Sequence, residues 1–576
     1  MHKRYSLLLI IILTLLTYSG VLTHDFLSWD DNSLITNNYL VRNFSPAIFW
    51  NYDPELYIPI TYLSFQIDYA LAGLNATWFH FVNLFIHVLN AILVFVLTKK
   101  ITSKKYLALP IALIFALHPI NTEAVAWISA RKELLSTLFF LLSFLSYIRF
   151  KEVGKKWLIL SIIFYVLAMG AKVTAIVLPI LLLAYDSLVL NPKSQIPNSQ
   201  ISSKIPKNKI LNRFGPLNLG ILESFWDLGF GIWDFTRKNI YYLVPALIFA
   251  LLALAGKFDV IGELSFFQVI LLTFASTTFY IQKLLIPLNY SAIYPAPDPI
   301  ALSNPTIYLS IISIAIIALA IWKLRKNKAI VFGSLMFIVT LAPSFLAYMR
   351  GDGISIGADR YAYIPSIGFV IAFASMIAII NKPKKVAIAL TVLAVCLIPI
   401  TIRQNSVWAN SEALFNNVLK NNPSSPSALN NVGNTHLGNG ELDLARDLFE
   451  QALKIDPNFP DALASLGAVY GRTGDYDLAW EYSSKAIEAN PNLPDAHFNL
   501  AGILFMKGDM GKAIEKYQDV IDIDPYYVPA LWQMARAYLQ SGDEDKARET
   551  YAKVLELDEG YRGKRGEMDE LLRENR

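Results

Sequence analysis

The chain has 576 residues, of which 54% are hydrophobic, and its mean hydropathy is +0.41. This value is far above that of ordinary soluble domains and excludes a wholly soluble protein. The weak net charge of +4 gives no support to nucleic-acid binding, the single cysteine excludes an intrachain disulfide, and the seven histidines show no metal-binding spacing.

Eleven apolar runs are candidates for membrane-spanning helices, which need about 20 mostly apolar residues each. They cover approximately residues 5–22, 79–98, 106–120, 134–150, 156–170, 173–190, 239–255, 306–322, 329–347, 362–380 and 385–402. The first run lacks a small-residue cleavage site after it, which favours an uncleaved first span over a signal peptide.

Basic clusters decide the orientation that we predict for these spans. Lysines and arginines follow every even-numbered span, at residues 99–105, 149–156, 193–213, 323–328 and 382–385. The positive-inside rule therefore predicts a cytoplasmic N-terminus and, after eleven crossings, an extracytoplasmic C-terminus.

This count of eleven crossings takes 263–287 as an interfacial or re-entrant helix. The alternative is that it crosses and a weak span elsewhere does not. The Pro-, Ser- and Lys-rich stretch 191–213 is typical of a flexible cytoplasmic linker.

The first predicted outer loop carries two adjacent carboxylates, Asp30 and Asp31, directly after Trp29. An arbitrary Asp-Asp pair most often belongs to a solvated loop. The functional alternative is a general base, or a contact to a metal or a phosphate, near the bilayer surface.

Three later outer loops contain cations, against the usual charge bias of this side. The second loop carries His118, Glu123, Arg131 and Lys132, the third carries Lys172, and the fifth carries Arg360 and Tyr361. Such cations need an anionic partner, and a lipid-linked phosphate at the membrane surface would supply one.

A repeat of 34 residues fills the chain after residue 402. It places proline at residues 423, 457, 491 and 525, glycine at residues 440, 474, 508 and 542, and alanine at residues 445, 479, 513 and 547. This period, with small residues at fixed positions, predicts tetratricopeptide repeats that stack into an α-solenoid. We expect a half unit, about four full units and a charged C-terminal cap at 559–576.

One polar residue recurs at the same position of each predicted unit. The series is Asn431, Ser465, Asn499 and Gln533. It resembles the asparagine ladder that lines the concave groove of some tetratricopeptide arrays and would hold an acceptor peptide by its backbone. The alternative is that these residues are only solvated polar surface, and both interpretations stay open.

Short motifs before residue 403 resemble those of the transmembrane and tetratricopeptide-repeat protein O-mannosyltransferases. They are Trp29-Asp30-Asp31, the stretch from His118 through Trp127 to Arg131-Lys132-Glu133, the stretch from Tyr280 to Pro287, and the stretch from Asp359 to Gly368. The resemblance extends over most of the chain. It implies an all-α protein with a polytopic GT-C-type membrane domain of about 11 spans at 1–402, followed by an extracytoplasmic tetratricopeptide-repeat solenoid at 403–576.

That resemblance also implies a glycosyltransferase that moves a sugar, mannose in this family, from a polyprenyl-phosphate donor to hydroxyl groups of extracytoplasmic proteins. Asp30 or Asp31 would deprotonate the acceptor, and which of the two is the base stays open. The implied donor-phosphate residues are Arg360, Lys172, Arg131 and Lys132, and the other implied active-site residues are Trp29, His118, Glu123 and Tyr361. No metal or other cofactor is implied.

The protein would lie in the plasma membrane of a prokaryote or in the endoplasmic reticulum of a eukaryote, with the repeats outside the cytoplasm.

Two other functions compete with this prediction. A non-enzymatic assembly scaffold would recruit partner proteins through the repeats, but eleven spans exceed what an anchor needs. A transporter would place charged residues near the middle of its spans, and the predicted spans carry almost no charge there. The glycosyltransferase is therefore the favoured prediction.

Overall fold

The computed structural model describes residues 2–50, 57–190, 240–252, 264–349, 355–558 and 566. The predicted linker at 191–213 and nearly all of the predicted cap at 559–576 lie outside these described residues. The chain forms two compact units. The first contains Met1–His24, Pro46–Ser64 and Ala76–Ser406, and the second contains Asp25–Ser45, Phe65–Asn75 and Val407–Arg576.

The described part of the chain before residue 403 is almost entirely helical. Its longer α-helices are His2–Tyr18, Pro59–Ala72, Ala76–Ile101, Ala108–Leu117, Arg131–Val153, Lys156–Ala171, Leu178–Leu188, Phe266–Leu285, Pro305–Lys323, Lys328–Leu341, Tyr363–Ile377 and Pro383–Asn405. Two short strands, Tyr294–Pro295 and Ser355–Gly357, pair antiparallel.

Seven helices among the described residues are long and apolar enough to cross a membrane. They are Arg4–Thr23, Ala76–Ile101, Ile128–Val153, Pro305–Lys323, Lys328–Phe345, Asp359–Ile380 and Pro383–Trp408. An eighth span results if the pair Lys105–Leu117 and Pro119–Ala126, which meet at a 50° bend, counts as one. The chain is therefore a multi-pass membrane protein.

The other three predicted spans coincide with shorter apolar helices, Lys156–Ala171, Val173–Leu188 and Ile240–Leu252. Each is shorter than the roughly 20 residues that a straight crossing needs. The predicted interfacial segment at 263–287 contains the helix Phe266–Leu285, which is not among the seven long spans.

Three described helix ends on the side that we predict to be cytoplasmic contact one another. Lys100 pairs with Glu152 at 2.6 Å, and Lys151 pairs with Asp186 at 2.7 Å. These ion pairs join the ends of the second, fourth and sixth predicted spans. The helix Arg131–Val153 leads away from this group over 23 residues, a distance of about 35 Å. Its other end lies among the predicted outer loops, as the alternation of charged loops requires.

Two glycines bring the helices Lys328–Leu341 and Tyr363–Ile377 into backbone contact. A Cβ atom added at Gly368 would lie 2.5 Å from the backbone nitrogen of Phe337 and 2.6 Å from the carbonyl oxygen of Gly333. Small residues at such crossings allow close packing of membrane helices. This contact holds the second helix in place, and the 3₁₀ turn Asp359–Ala362 directly before it carries part of the candidate site.

The second unit contains the predicted solenoid, one helix followed by four helix pairs. The bounds are Ser411–Asn421, then Pro426–Gly438 with Leu442–Ile455, Pro460–Thr473 with Tyr476–Ala489, Pro494–Met506 with Met510–Ile523, and Val528–Gln540 with Glu544–Leu557. The glycine of each turn has a φ between +81° and +85°, a conformation that glycine adopts without steric cost. The predicted tetratricopeptide-repeat fold is confirmed.

Two segments outside the repeats belong to this second unit, Asp25–Ser45 and Phe65–Asn75. The predicted domain boundary at residue 402 assigns both of them to the membrane domain, so the compact units divide the chain differently. The first of these segments contains the adjacent carboxylates Asp30 and Asp31.

Candidate functional site

Three predicted outer loops meet in the first unit through two ion pairs. Lys172 of the third loop pairs with Glu133 at the end of the second loop. The guanidinium of Arg360, in the fifth loop, pairs with Glu123 of the second loop, and the backbone N–H of Arg360 donates to the other carboxylate oxygen at 2.9 Å. All four side chains are at most 17% exposed. Residues up to 237 positions apart thus form one charged cluster.

Two aromatic rings join these cations into a continuous row. The ring of Trp127 lies between Lys132, whose Nζ is 5.8 Å from the ring centre, and Arg360, whose Cζ is 5.1 Å away. The ring of Tyr361 lies between Arg360 at 4.9 Å and Lys172 at 4.8 Å. Cation–π attraction holds each cation beside a ring face without neutralising its charge. We call Lys132, Trp127, Arg360, Tyr361 and Lys172 the cation–aromatic row.

The local structure places these side chains at breaks between apolar helices. Lys132 lies in the first turn of the helix Arg131–Val153, where the helix dipole disfavours a cation. Lys172 has extended backbone between two helices. Arg360 and Tyr361 lie in the 3₁₀ turn Asp359–Ala362. Lys132 is therefore held where helix electrostatics opposes a cation, which indicates a role other than helix stability.

Two predicted site residues have structural contacts instead of belonging to the row. Arg131 is fully buried, and its guanidinium donates to the Asn83 side chain at 2.6 Å and to the Phe79 carbonyl at 2.8 Å. His118 is buried, with one ring nitrogen 3.1 Å from the Leu284 carbonyl and the other accepting from the Ile120 N–H at 3.2 Å. Both side chains hold the second outer loop against neighbouring helices.

Trp127 and Glu133 belong to the cluster but are not among the predicted site residues. A tryptophan between charged residues in a short outer loop is the sequence signal that points to the first. Glu133 ends one of the stretches that carry the family resemblance, but nothing local predicts its ion pair, because its partner Lys172 is 39 residues away.

Asp359 stabilises the 3₁₀ turn that carries Arg360. Its two carboxylate oxygens accept from the Tyr294 hydroxyl at 2.9 and 3.1 Å. Burial, followed by the charge of Asp359, raises the pKa of Tyr294 well above its ordinary value, so the hydroxyl keeps its proton and remains a donor. This contact ties the turn that carries Arg360 to the loop before the helix Pro305–Lys323.

The two predicted catalytic carboxylates, Asp30 and Asp31, both belong to the second unit but lie in different environments. Asp31 is fully buried, and one of its carboxylate oxygens accepts the backbone N–H of Leu27 at 2.9 Å. Asp30 is half-buried. Trp29 packs on Phe415, with 5.7 Å between ring centres. Asp31 therefore stabilises the fold of its loop, while Asp30 is the more accessible carboxylate.

The four predicted ladder residues are all half-buried and hydrogen-bonded within the array. Asn431 and Gln533 bond within their own helices. Ser465 and Asn499 bond to the preceding repeat, at 3.1 Å to the Asn434 side chain and at 2.8 Å to the Ala464 carbonyl. The last two therefore tie neighbouring repeats together and are not merely solvated. In the described ranges, no group of three or more His, Cys, Asp or Glu side chains could hold a metal ion.

Family models match the repeats. Two described as "Tetratricopeptide repeat" cover residues 465–528 and 504–562, and one described as "TPR repeat" covers residues 439–474. Each match falls on the helix pairs of the second unit, in agreement with the observed solenoid.

Curated relatives match more than the repeats. Protein O-mannosyl-transferase TMTC1 of Homo sapiens is 27% identical over 483 residues, which cover 73% of this chain and 51% of that protein. Protein O-mannosyl-transferase TMTC4 of Homo sapiens is 26% identical over 461 residues, which cover 70% of this chain and 60% of that protein. Because residues 403–576 are less than a third of the chain, these alignments include much of the membrane part. The chain spans little more than half the length of the relatives it matches.

Proposed function

Because this chain is related to the transmembrane and tetratricopeptide-repeat protein O-mannosyltransferases, we propose that it is a membrane glycosyltransferase. It transfers a sugar, mannose by resemblance, from a polyprenyl-phosphate donor to hydroxyl groups of extracytoplasmic proteins. The repeats hold the acceptor protein, and the acceptor groove includes Asn431, Ser465, Asn499 and Gln533.

The cation–aromatic row is the observation that carries this proposal. Three cations, Lys132, Lys172 and Arg360, lie together in the described cluster, where two aromatic rings contact them. The two glutamates are nearly inaccessible. Glu133, with a side chain 6% exposed, pairs with Lys172, and Glu123, with a side chain 0% exposed, pairs with Arg360. A phosphate that reaches the row would bind in a setting where aromatic rings exclude water and strengthen charge interactions.

Asp30 is the general base in this proposal, and Asp31 shapes the loop. The Asp30 carboxylate takes the hydroxyl proton of the acceptor as its oxygen bonds to the sugar carbon. The bond from that carbon to the donor phosphate oxygen breaks, and the electron pair leaves with the polyprenyl phosphate. The row stabilises the negative charge that the departing phosphate gains. The accessibility of Asp30 and the buried hydrogen bond of Asp31 support this division.

A defined transfer assay tests the proposed function. Purified protein in lipid nanodiscs is incubated with synthetic polyprenyl-phosphate mannose and a Ser- and Thr-rich peptide, and the peptide mass is measured. A gain of one hexose is expected. If no donor hexose is transferred to peptides that the repeats bind, the enzyme proposal is wrong and the assembly scaffold is favoured.

Arg360→Lys should weaken binding of the polyprenyl phosphate by about 10- to 100-fold, because a charged hydrogen bond contributes about 1.5–3 kcal/mol. Lysine keeps the charge but loses the planar fork that matches a phosphate. Arg149→Lys is a matched control, since Arg149 also lies over a tryptophan, Trp157, but belongs to the opposite, basic end of the helices. Affinity is measured by titration of labelled donor. Equal affinities of both variants would remove Arg360 from the phosphate site.

The repeats should lie on the extracytoplasmic side. A reporter enzyme that is active only outside the cytoplasm should be active when fused after residue 402 and inactive when fused after residue 190. The reason is the alternation of basic loops, together with the contacts among the basic ends described above. The reverse pattern of activity would contradict the proposed orientation.

A further inference from the structure

The loop that carries Asp30 is attached at its beginning to the first helix of the array. The backbone N–H of Asp25 donates to the carbonyl of Ala409 at 3.0 Å. The backbone N–H of Ser28 donates to the hydroxyl of Ser411 at 2.8 Å. The Trp29 ring packs on Phe415 one turn further along that helix. These contacts all precede the first full repeat.

The same loop is attached a second time, to the last repeat. Tyr39 stacks on Tyr526 with 5.3 Å between ring centres and 9° between ring planes, and its hydroxyl donates to Glu556 at 3.3 Å. Arg42 pairs with Asp558 at 2.8 Å, with side chains only 17% and 24% exposed. We call Tyr39, Arg42, Tyr526, Glu556 and Asp558 the distal anchor.

The distal anchor restricts the loop because the chain between the two attachments is short. Tyr39 is ten positions after Trp29, and ten residues reach at most about 35 Å when fully extended. Part of this stretch is coiled into the helical turn Asn32–Thr36, which shortens it further. A backbone held at both ends of so short a segment has few arrangements left for the carboxylate between them.

The attachment on the loop side is itself rigid. The side-chain amide of Gln66 donates to the carbonyls of Leu40 and Ser45 at 2.7 and 2.8 Å. These bonds hold the backbone on both sides of Arg42. A change at the distal anchor is therefore transmitted along the loop and is not absorbed by a loose turn.

We infer that Tyr39 and Arg42 are positioning residues, through which the last repeat holds the Asp30 loop in its reactive arrangement. The inference rests on the proposed function of Asp30 as the base. It gives the array a second role beside acceptor binding: the array supplies the fixed support of the catalytic loop. Deleting the repeats would abolish both roles together, so only point variants at the distal anchor separate them.

A charge exchange tests the inference. Arg42→Asp and Asp558→Arg each break the ion pair, and the double variant restores it with reversed polarity. Each single variant should lower kcat by about 10- to 100-fold, the cost typical of a catalytic group displaced by about 1 Å, and should leave donor affinity within about twofold. The double variant should recover most of kcat. Arg446→Asp, which breaks the exposed Arg446–Asp443 pair inside one repeat helix, is the matched control and should transfer at the parental rate.

Hydrogen exchange of the amides in residues 25–45 supplies a readout that is independent of activity. Exchange should be faster in both single variants than in the parent. In the double variant it should return to the parental rate. If the single variants exchange at the parental rate, the ion pair does not hold the loop and the inference is wrong. If exchange rises but kcat does not fall, the loop is held there without positioning the base, and the inference is equally wrong. If the unmutated protein transfers no sugar in the same assay, the proposed function is wrong. That outcome differs from a failure of the positioning role, in which the unmutated protein transfers sugar.

Discussion

Asp30→Asn is expected to lower the rate of sugar transfer by about 10² to 10⁴, the usual cost of losing a general base. Asparagine has nearly the same shape as aspartate but cannot take the acceptor proton. Because Asp30 is half-buried at the loop surface, the exchange should leave folding and donor binding intact. The rate is measured with purified protein, a synthetic polyprenyl-phosphate sugar and an acceptor peptide, beside titration of the donor.

Asp31→Asn is the matched control for this experiment. Asp31 is fully buried and accepts the Leu27 N–H, and the asparagine carbonyl oxygen can still accept that bond. The variant should therefore keep measurable transfer, but it should melt at a lower temperature because a neutral amide oxygen accepts a weaker hydrogen bond than a carboxylate. Parental transfer by Asp30→Asn, together with loss of transfer by a folded Asp31→Asn, would exchange the two roles. Parental transfer by both variants would remove this loop from the chemistry.

Gly368→Ala is expected to destabilise the membrane unit, although a glycine-to-alanine exchange in an open helix usually stabilises by about 0.4–1 kcal/mol. The new Cβ would lie 2.5 Å from the backbone nitrogen of Phe337, and backbone atoms cannot turn aside as a flexible side chain would. Overpacking of this kind typically costs about 1–3 kcal/mol or more. The same shift would displace Arg360 and weaken donor binding. Thermal unfolding in detergent and donor titration measure the two effects.

Gly20→Ala is the control, because a Cβ at Gly20 would meet no atom within 4 Å. It should leave the unfolding temperature unchanged or raise it slightly. A Gly368→Ala variant that is as stable as the Gly20→Ala variant would show that the two helices separate at little cost. The close helix contact would then have no part in placing Arg360.

The sequence predicted those structural features that depend on patterns over short distances along the chain. The 34-residue period predicted the helix pairs and the glycine turns between them, because every repeat makes the same local contacts. Apolar length predicted the membrane helices, since the bilayer requires it at each crossing. The positive-inside rule predicted which loops would share a side, and the Lys100–Glu152 and Arg360–Glu123 pairs agree with that grouping.

The partners within the candidate site were decided only by the tertiary structure. Arg131 and Lys132 are neighbours in sequence, yet one is fixed by Asn83 and Phe79 inside the helices and the other lies beside Trp127. Adjacent residues on a helix point about 100° apart, so which of them faces the cluster depends on how that helix packs.

The sequence by itself determined that this is an all-helical, multi-pass membrane protein with a tetratricopeptide solenoid. It did not determine that the loop containing Asp30 belongs to the solenoid's compact unit. The contacts that place it there, Ser28 with Ser411 and Arg42 with Asp558, join residues 383 and 516 positions apart. Such contacts form because folded surfaces are complementary, and they leave no periodic or compositional trace along the chain.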